Sequence, residues 1–128
     1  MFNSKLKILA GPKKIKKKIN QPFNNRSIEF LDLLSKKILI NKNAKNYADL
    51  VTFAFWARKK NILKISKNYL NHEIRLGLGT VFHITPSNMP VNFIYSFAFS
   101  LLSGNSNIVR VSDKDFPQVS IFIDLFKK

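Results

Sequence analysis

The chain has no cysteine among its 128 residues. That excludes disulfides, thiolate metal sites and any cysteine nucleophile supplied by these residues. Histidine is almost as scarce. His72 and His83 are the only two, too few and too far apart to suggest a zinc site. Acids number seven against 22 lysines and arginines, and only four of those 22 are arginine. Long apolar runs are missing as well. The longest mostly apolar stretch, 91–102, contains Asn92, Ser96 and Ser100 and is well short of the roughly 20 residues of a membrane span. The first ten residues do not read as a secretory signal, because the apolar run is short and lysines follow rather than precede it. A cytoplasmic protein is the expectation.

What remains is a chain of ordinary apolar content, 45%, long enough for one modest core. The net charge of +15 is unevenly spread. Residues 1–45 hold twelve of the basic residues and two acids, whereas 76–128 hold four and three. Such a basic half could face nucleic acid or an anionic membrane. Coding bias accounts for it more simply, since lysine, asparagine and isoleucine are all abundant and arginine is rare. Arginine is the preferred residue for bidentate phosphate and base contacts, so its scarcity argues against a nucleic-acid partner. The lysine cluster at 13–18 reads as a solvated arm.

Helical spacing is clearest in the first half. Ile28, Leu31, Leu34 and Ile38 form one apolar stripe of a helix over 28–40, with Ser27 as its N-cap and Glu29 in its first turn. Asn41–Lys45 is a polar break. Asn46 then caps a longer helix over 47–70, with Asp49 in its first turn. Tyr47, Val51, Ala54, Ile62, Ile65 and Tyr69 recur on one face, widened by Phe53, Phe55 and Trp56. An aromatic cluster on a helix is read as core. Arg58, Lys59 and Lys60 would lie on the polar side.

The pattern then changes. Gly77 and Gly79 bracket a turn, and 80–85 is β-branched and apolar, as in a buried strand. Pro90 suits the first turn of a helix over 90–102 that stops near Gly104, a favourable C′ residue. A second strand over 107–111, a polar loop over 112–115 and a helix opened by Pro117 follow. Strand, helix, strand and helix with short loops predict a parallel sheet with a right-handed crossover. Ligands in such sheets bind at the carboxyl ends of the strands, here 85–88 and 111–113.

Two prolines hold Asn88 at the first of these ends. From that position it can aim its amide at a developing oxyanion, supported by the helix dipole. An N-cap role is the plainer reading of the residues alone. At the second end, Arg110 could hold a phosphate or ribose, and Asp113 could accept from ribose hydroxyls. A local Arg110–Asp113 surface pair is the alternative. Gly77-Leu78-Gly79 is no dinucleotide fingerprint, because it precedes the strand and lacks the third glycine. His83 alternates within the strand and reads as a satisfied core histidine.

These motifs carry a specific resemblance. His83-Ile84-Thr85-Pro86-Ser87-Asn88-Met89-Pro90, then 101–110 (LLSGNSNIVR) and Lys114-Asp115-Phe116-Pro117, resemble the acyl-CoA reductase family of the aldehyde-dehydrogenase superfamily. That family includes the fatty-acid reductase of bacterial luminescence. The segment 47–56 (YADLVTFAFW) resembles the helix preceding this core. The resemblance spans about 47–118 and is weak over the first 45 residues. It implies an α/β fold: N-terminal helices, then a partial Rossmann-like βαβα unit of an aldehyde-dehydrogenase-type NAD(P)-binding domain. With the uneven charge, this predicts a division into a basic segment with one helix, 1–45, and an incomplete cofactor domain with its preceding helix, 46–128.

In that family a cysteine attacks a fatty acyl-CoA or other acyl thioester, and NADPH (NADH being the alternative) delivers hydride to release an aldehyde. Asn88 matches the superfamily's oxyanion-stabilising asparagine. Arg110 stands where a lysine contacts the adenosine ribose, and Asp113 where an acid often binds ribose hydroxyls. Thr85 and Ser87 match positions lining the nicotinamide side, and Ser112 lies in the same cofactor-binding loop. With no cysteine, the chain is expected to be an N-terminal segment of such an enzyme, truncated or encoded by a split gene. It would be inactive alone, with a second polypeptide as a possible partner.

Overall fold

The described residues form five α-helices and two strands, one helix more than the four that these patterns predict. The computed structural model describes residues 7–15, 17–71 and 73–127. Most of the opening apolar alternation, Lys16 of the lysine cluster, His72 and the final lysine lie outside the described residues.

Helix α1 spans Asn25–Ile40 and buries the expected stripe of Ile28, Leu31, Leu34 and Ile38. Its cap is Asn24 and not Ser27. Asn24 has extended backbone and its Oδ1 accepts from the Ser27 N–H at 3.1 Å, so Ser27 sits buried inside the first turn. A short 3-10 turn, Ala44–Asn46, follows.

The single long helix expected over 47–70 is in fact two, α2 (Ala48–Trp56) and α3 (Lys59–Tyr69), with Tyr47 rather than Asn46 preceding α2 as its cap residue. The break at Ala57–Arg58 has a physical cause on another helix. Asp32 of α1 accepts from the Lys59 N–H at 2.8 Å, capping α3 from outside its own sequence. Asn61 donates to the Phe55 carbonyl at 2.7 Å and satisfies the end of α2. Lys36 pairs with Asp32 at 2.7 Å. Its hydrogen bond, then that from Lys59, holds the Asp32 carboxyl below the ordinary carboxylate value.

Phe53, Ala54 and Ile62 are fully buried as expected, but Phe55, Ile65 and Tyr69 are exposed and not core. Phe55 instead lies under the Arg58 guanidinium, 4.1 Å from its ring centre. Phe53 is the hub of the core, with Tyr95 edge-on at 5.1 Å and Phe122 at 6.3 Å. One apolar cluster draws on α1, α2, α3, α4 (Asn92–Leu102) and α5 (Pro117–Lys127).

Strands β1 (Thr80–Ile84) and β2 (Ser106–Arg110) pair in parallel, with Thr80 level with Ser106 and Ile84 level with Arg110. Helix α4 connects them, so the chain is α/β. The expectation of a buried first strand needs correction. Val81 and His83 share the inner face, but Phe82 and Ile84 on the other face are 57% and 70% exposed. A near-continuous apolar strand is the composition of a sheet covered on both faces. Here only one face is covered by the described residues.

Helix α4 ends in a Schellman motif. The Gly104 N–H reaches the Leu101 carbonyl and the Asn105 N–H reaches the Ser100 carbonyl, with Gly104 at φ +89°. The Gly104 carbonyl accepts from Asn20 at 3.0 Å, and the Asn20 carbonyl accepts from Gly77 at 3.0 Å. A Cβ on Gly104 would collide with the Asn20 carbonyl, and one on Gly77 with the Gly104 carbonyl. Asn105 completes the junction, accepting from the Leu78 N–H at 2.6 Å.

Two outcomes are expected. Gly104→Ala loses about 2–3 kcal/mol, because left-handed strain and the Asn20 collision add; an unchanged urea midpoint excludes this junction as a constraint. Asp32→Ala costs about 1 kcal/mol near neutrality. Because the folded carboxyl titrates below its ordinary value of 3.8, that contribution is complete above 3.8 and vanishes as pH falls through the lower folded value. Denaturation curves of parent and variant should therefore converge in strong acid.

Candidate functional site at the carboxyl ends of the parallel strands

The in-register pairing of Ile84 with Arg110 brings the two following loops out side by side. Thr85 is half-buried as the chain leaves β1, whereas Ser87 and Asn88 are exposed in the turn that follows. Asn88 does not cap α4. The cap position is taken by Val91, without any side-chain hydrogen bond, and the helix begins at Asn92, two residues beyond Pro90. The Asn88 amide thus projects from a proline-bracketed turn before the helix.

On the neighbouring loop, Arg110 is the last residue of β2 and is exposed. No Arg110–Asp113 ion pair forms among the described residues, whose salt bridges are Lys36–Asp32 and Arg75–Glu73. Ser112 Oγ accepts from the Lys114 N–H at 3.1 Å, which fixes the loop as a tight turn. Asp113 is exposed. The six residues therefore fall at the end of β2 and on the two adjacent loops that leave the sheet. They offer an amide donor, a guanidinium, three hydroxyls and a carboxylate.

The site is open. Two concave places lie elsewhere, where α1 and the residues after it meet α5. One is bordered by Phe30, Leu34 and Phe126 among others, the other by Lys37, Ile40 and Lys42. Among the described residues no three His, Asp or Glu side chains come together as metal ligands. The strand-end groups can bind and orient a polar ligand but are not walled off from water.

Beneath this end runs a network that the residue pattern did not disclose. His83 is buried. Asn107 Nδ2 donates to the Asn105 carbonyl at 3.1 Å, so its Oδ1 is the group facing His83 Nε2 at 2.9 Å, and Nε2 donates. In the neutral ring, Nδ1 then accepts from the Ser96 hydroxyl at 2.7 Å. One histidine of β1 thus ties α4 to β2 and sets both loops above it. His83 is a satisfied core histidine, as expected. Its partners could have been sought as polar residues on the inward faces of the neighbouring elements.

Ser96→Ala should leave His83 Nδ1 without a partner and cost about 1–3 kcal/mol. Thermal melting would show it, and a variant as stable as the parent removes the network from the account of the site.

No helix among the described residues is long and apolar enough to cross a membrane. A search of curated proteins and a search of solved structures returned no match. A family model described as acyl-CoA reductase (LuxC) matches residues 13–128. That span contains α1, both glycines of the junction, the sheet and both strand-end loops, and it leaves out only the first twelve residues. With nearly the whole length matched, the chain belongs to the acyl-CoA reductase (LuxC) family.

Proposed function

We propose that these two loops form the oxyanion and cofactor-ribose part of an NADPH-dependent reductase that converts a fatty acyl thioester to an aldehyde. The observation that carries this reading is the level alignment of two polar loops at the carboxyl ends of parallel strands, inside the stretch matched by the reductase family. Open-sheet proteins bind nucleotides at such ends.

The residues present fit a nicotinamide dinucleotide. Arg110 is exposed and offers its positive charge to a phosphate or a ribose edge. Asp113 accepts from ribose hydroxyls. Thr85 and Ser87 line the nicotinamide side, and Ser112 holds its loop for the same ligand. When bound, the dinucleotide supplies the hydride. Asn88 acts on the acyl group, its amide N–H donating to the thioester oxygen as negative charge gathers there. The net change is acyl thioester, reduced dinucleotide and a proton to aldehyde, thiol and oxidised dinucleotide.

The thiol nucleophile of such a reaction is not among these residues, since the chain has no cysteine. It comes from a further segment of the enzyme or a second polypeptide. Asn88 alone has no tetrahedral adduct to stabilise. No residue here is a dedicated reader of the ribose 2′-phosphate, so NADH is the cofactor to test beside NADPH.

The 128-residue chain is expected to show no acyl-CoA-dependent oxidation of NADPH or NADH. Detectable turnover by the purified chain overturns the division of labour. Activity should appear when a polypeptide carrying the family's cysteine region is added. In that reconstituted enzyme Asn88→Ala should lower kcat about 100- to 1,000-fold.

A further inference from the structure

The described residues of 7–19, which are all of them but Lys16, lie outside any helix or strand and contribute nothing to the buried apolar cluster. Lys7, Lys13, Lys14, Lys17 and Lys18 are all exposed. Between them stand Ile8, Ile15 and Ile19, exposed by 60%, 48% and 55%. No acid occurs anywhere from residue 7 to residue 28. The described salt bridges involve none of these lysines. The arm therefore presents uncompensated positive charge and open isoleucine side chains on the same short stretch.

The arm is pinned where it joins the fold. Asn20 is held between Gly104 and Gly77, and the Lys18 carbonyl accepts from Ser106 Oγ at 3.2 Å. Just beyond, the Phe23 ring packs on Tyr69 at the end of α3, 5.4 Å between centres. Helix α3 itself exposes Lys60, Lys64 and Lys67 together with Leu63 and Ile65. Arm and helix thus meet at a fixed point, and both mix lysine with open aliphatic side chains.

We propose that the arm is a docking surface for the face of an anionic lipid bilayer. Each lysine brought to such a surface strengthens binding about fivefold. The isoleucines can enter the interfacial layer, which stabilises them relative to water. The same composition suits nucleic acid poorly. The arm has neither an arginine for bidentate phosphate contacts nor an aromatic ring on which bases could stack, and its isoleucines would remain in water. The inference rests on the arm alone and stands independently of the reductase reading.

Co-sedimentation of the full chain with extruded vesicles tests it. One set is phosphatidylcholine alone, the other phosphatidylcholine with about one-third phosphatidylserine. Binding is expected only to the anionic set, falling steeply as salt is raised. Replacing Lys13, Lys14, Lys17 and Lys18 together by Gln should weaken it by about tenfold or more. The pair Ile15→Ser and Ile19→Ser keeps the charge and should weaken it several-fold. The altered side chains are exposed, and circular dichroism checks that the fold is intact. Equal binding to both vesicle sets overturns the proposal without recourse to any variant. So does unchanged affinity of the isoleucine pair, or preferential binding of a single-stranded oligonucleotide over anionic vesicles at the same salt.

Discussion

Three stretches far apart in the chain meet through a relay of backbone hydrogen bonds. Asn20 donates to Gly104, and Gly77 donates to Asn20. Backbones come this close only where no Cβ intervenes, and both Gly77 and Gly104 stand where a Cβ would strike a carbonyl. Much of the fold depends on that approach. It fixes where the basic arm leaves the surface and where α4 turns into β2. Through the Leu78–Asn105 hydrogen bond it also fixes where β1 begins relative to β2. The level pairing of Thr80 with Ser106 at the start of the sheet becomes the level pairing of Ile84 with Arg110 at its end. The candidate site is thus placed by contacts at the opposite end of the strands.

The sheet treats its two faces unequally. On the inner face polar groups are buried but partnered: His83 with Ser96 and Asn107, Asn105 with Leu78 and Ser100. No buried side-chain nitrogen or oxygen among the described residues lacks a partner. Such closed networks hold elements in one arrangement where apolar contacts alone would allow sliding. On the outer face Phe82 and Ile84 meet solvent. Apolar area of this kind on a sheet is characteristic of a surface that another element covers.

Much of this was legible from residue order. The stripe of α1, the parallel strands, the role of Gly104 as C′ and the satisfied state of His83 all follow from periodicity and local chemistry. So did the positions of Asn88, Arg110 and Asp113 at the strand ends, though position alone says nothing of what they bind. The parts that stayed hidden depend on contacts across the chain. Nothing in Ala57-Arg58-Lys59 breaks a helix; the break comes from Asp32, 27 residues earlier. Asn24 outcompetes Ser27 as a cap because of backbone angles that composition does not encode. Phe82 and Ile84 have the character of buried residues, and only the arrangement of neighbouring elements decides whether they are.

The borrowed cap of α3 also bears on the order in which the protein folds. An 11-residue helix is marginal by itself, and α3 buries only Ile62 and Ser66. Its first turn gains an acceptor only once α1 has formed and docked, since the acceptor sits on that helix. Helix α3 is therefore expected to follow α1 in the folding reaction, since its cap and its packing surface lie on that helix. Contacts made that late would govern how slowly the native state is lost rather than how fast it is reached.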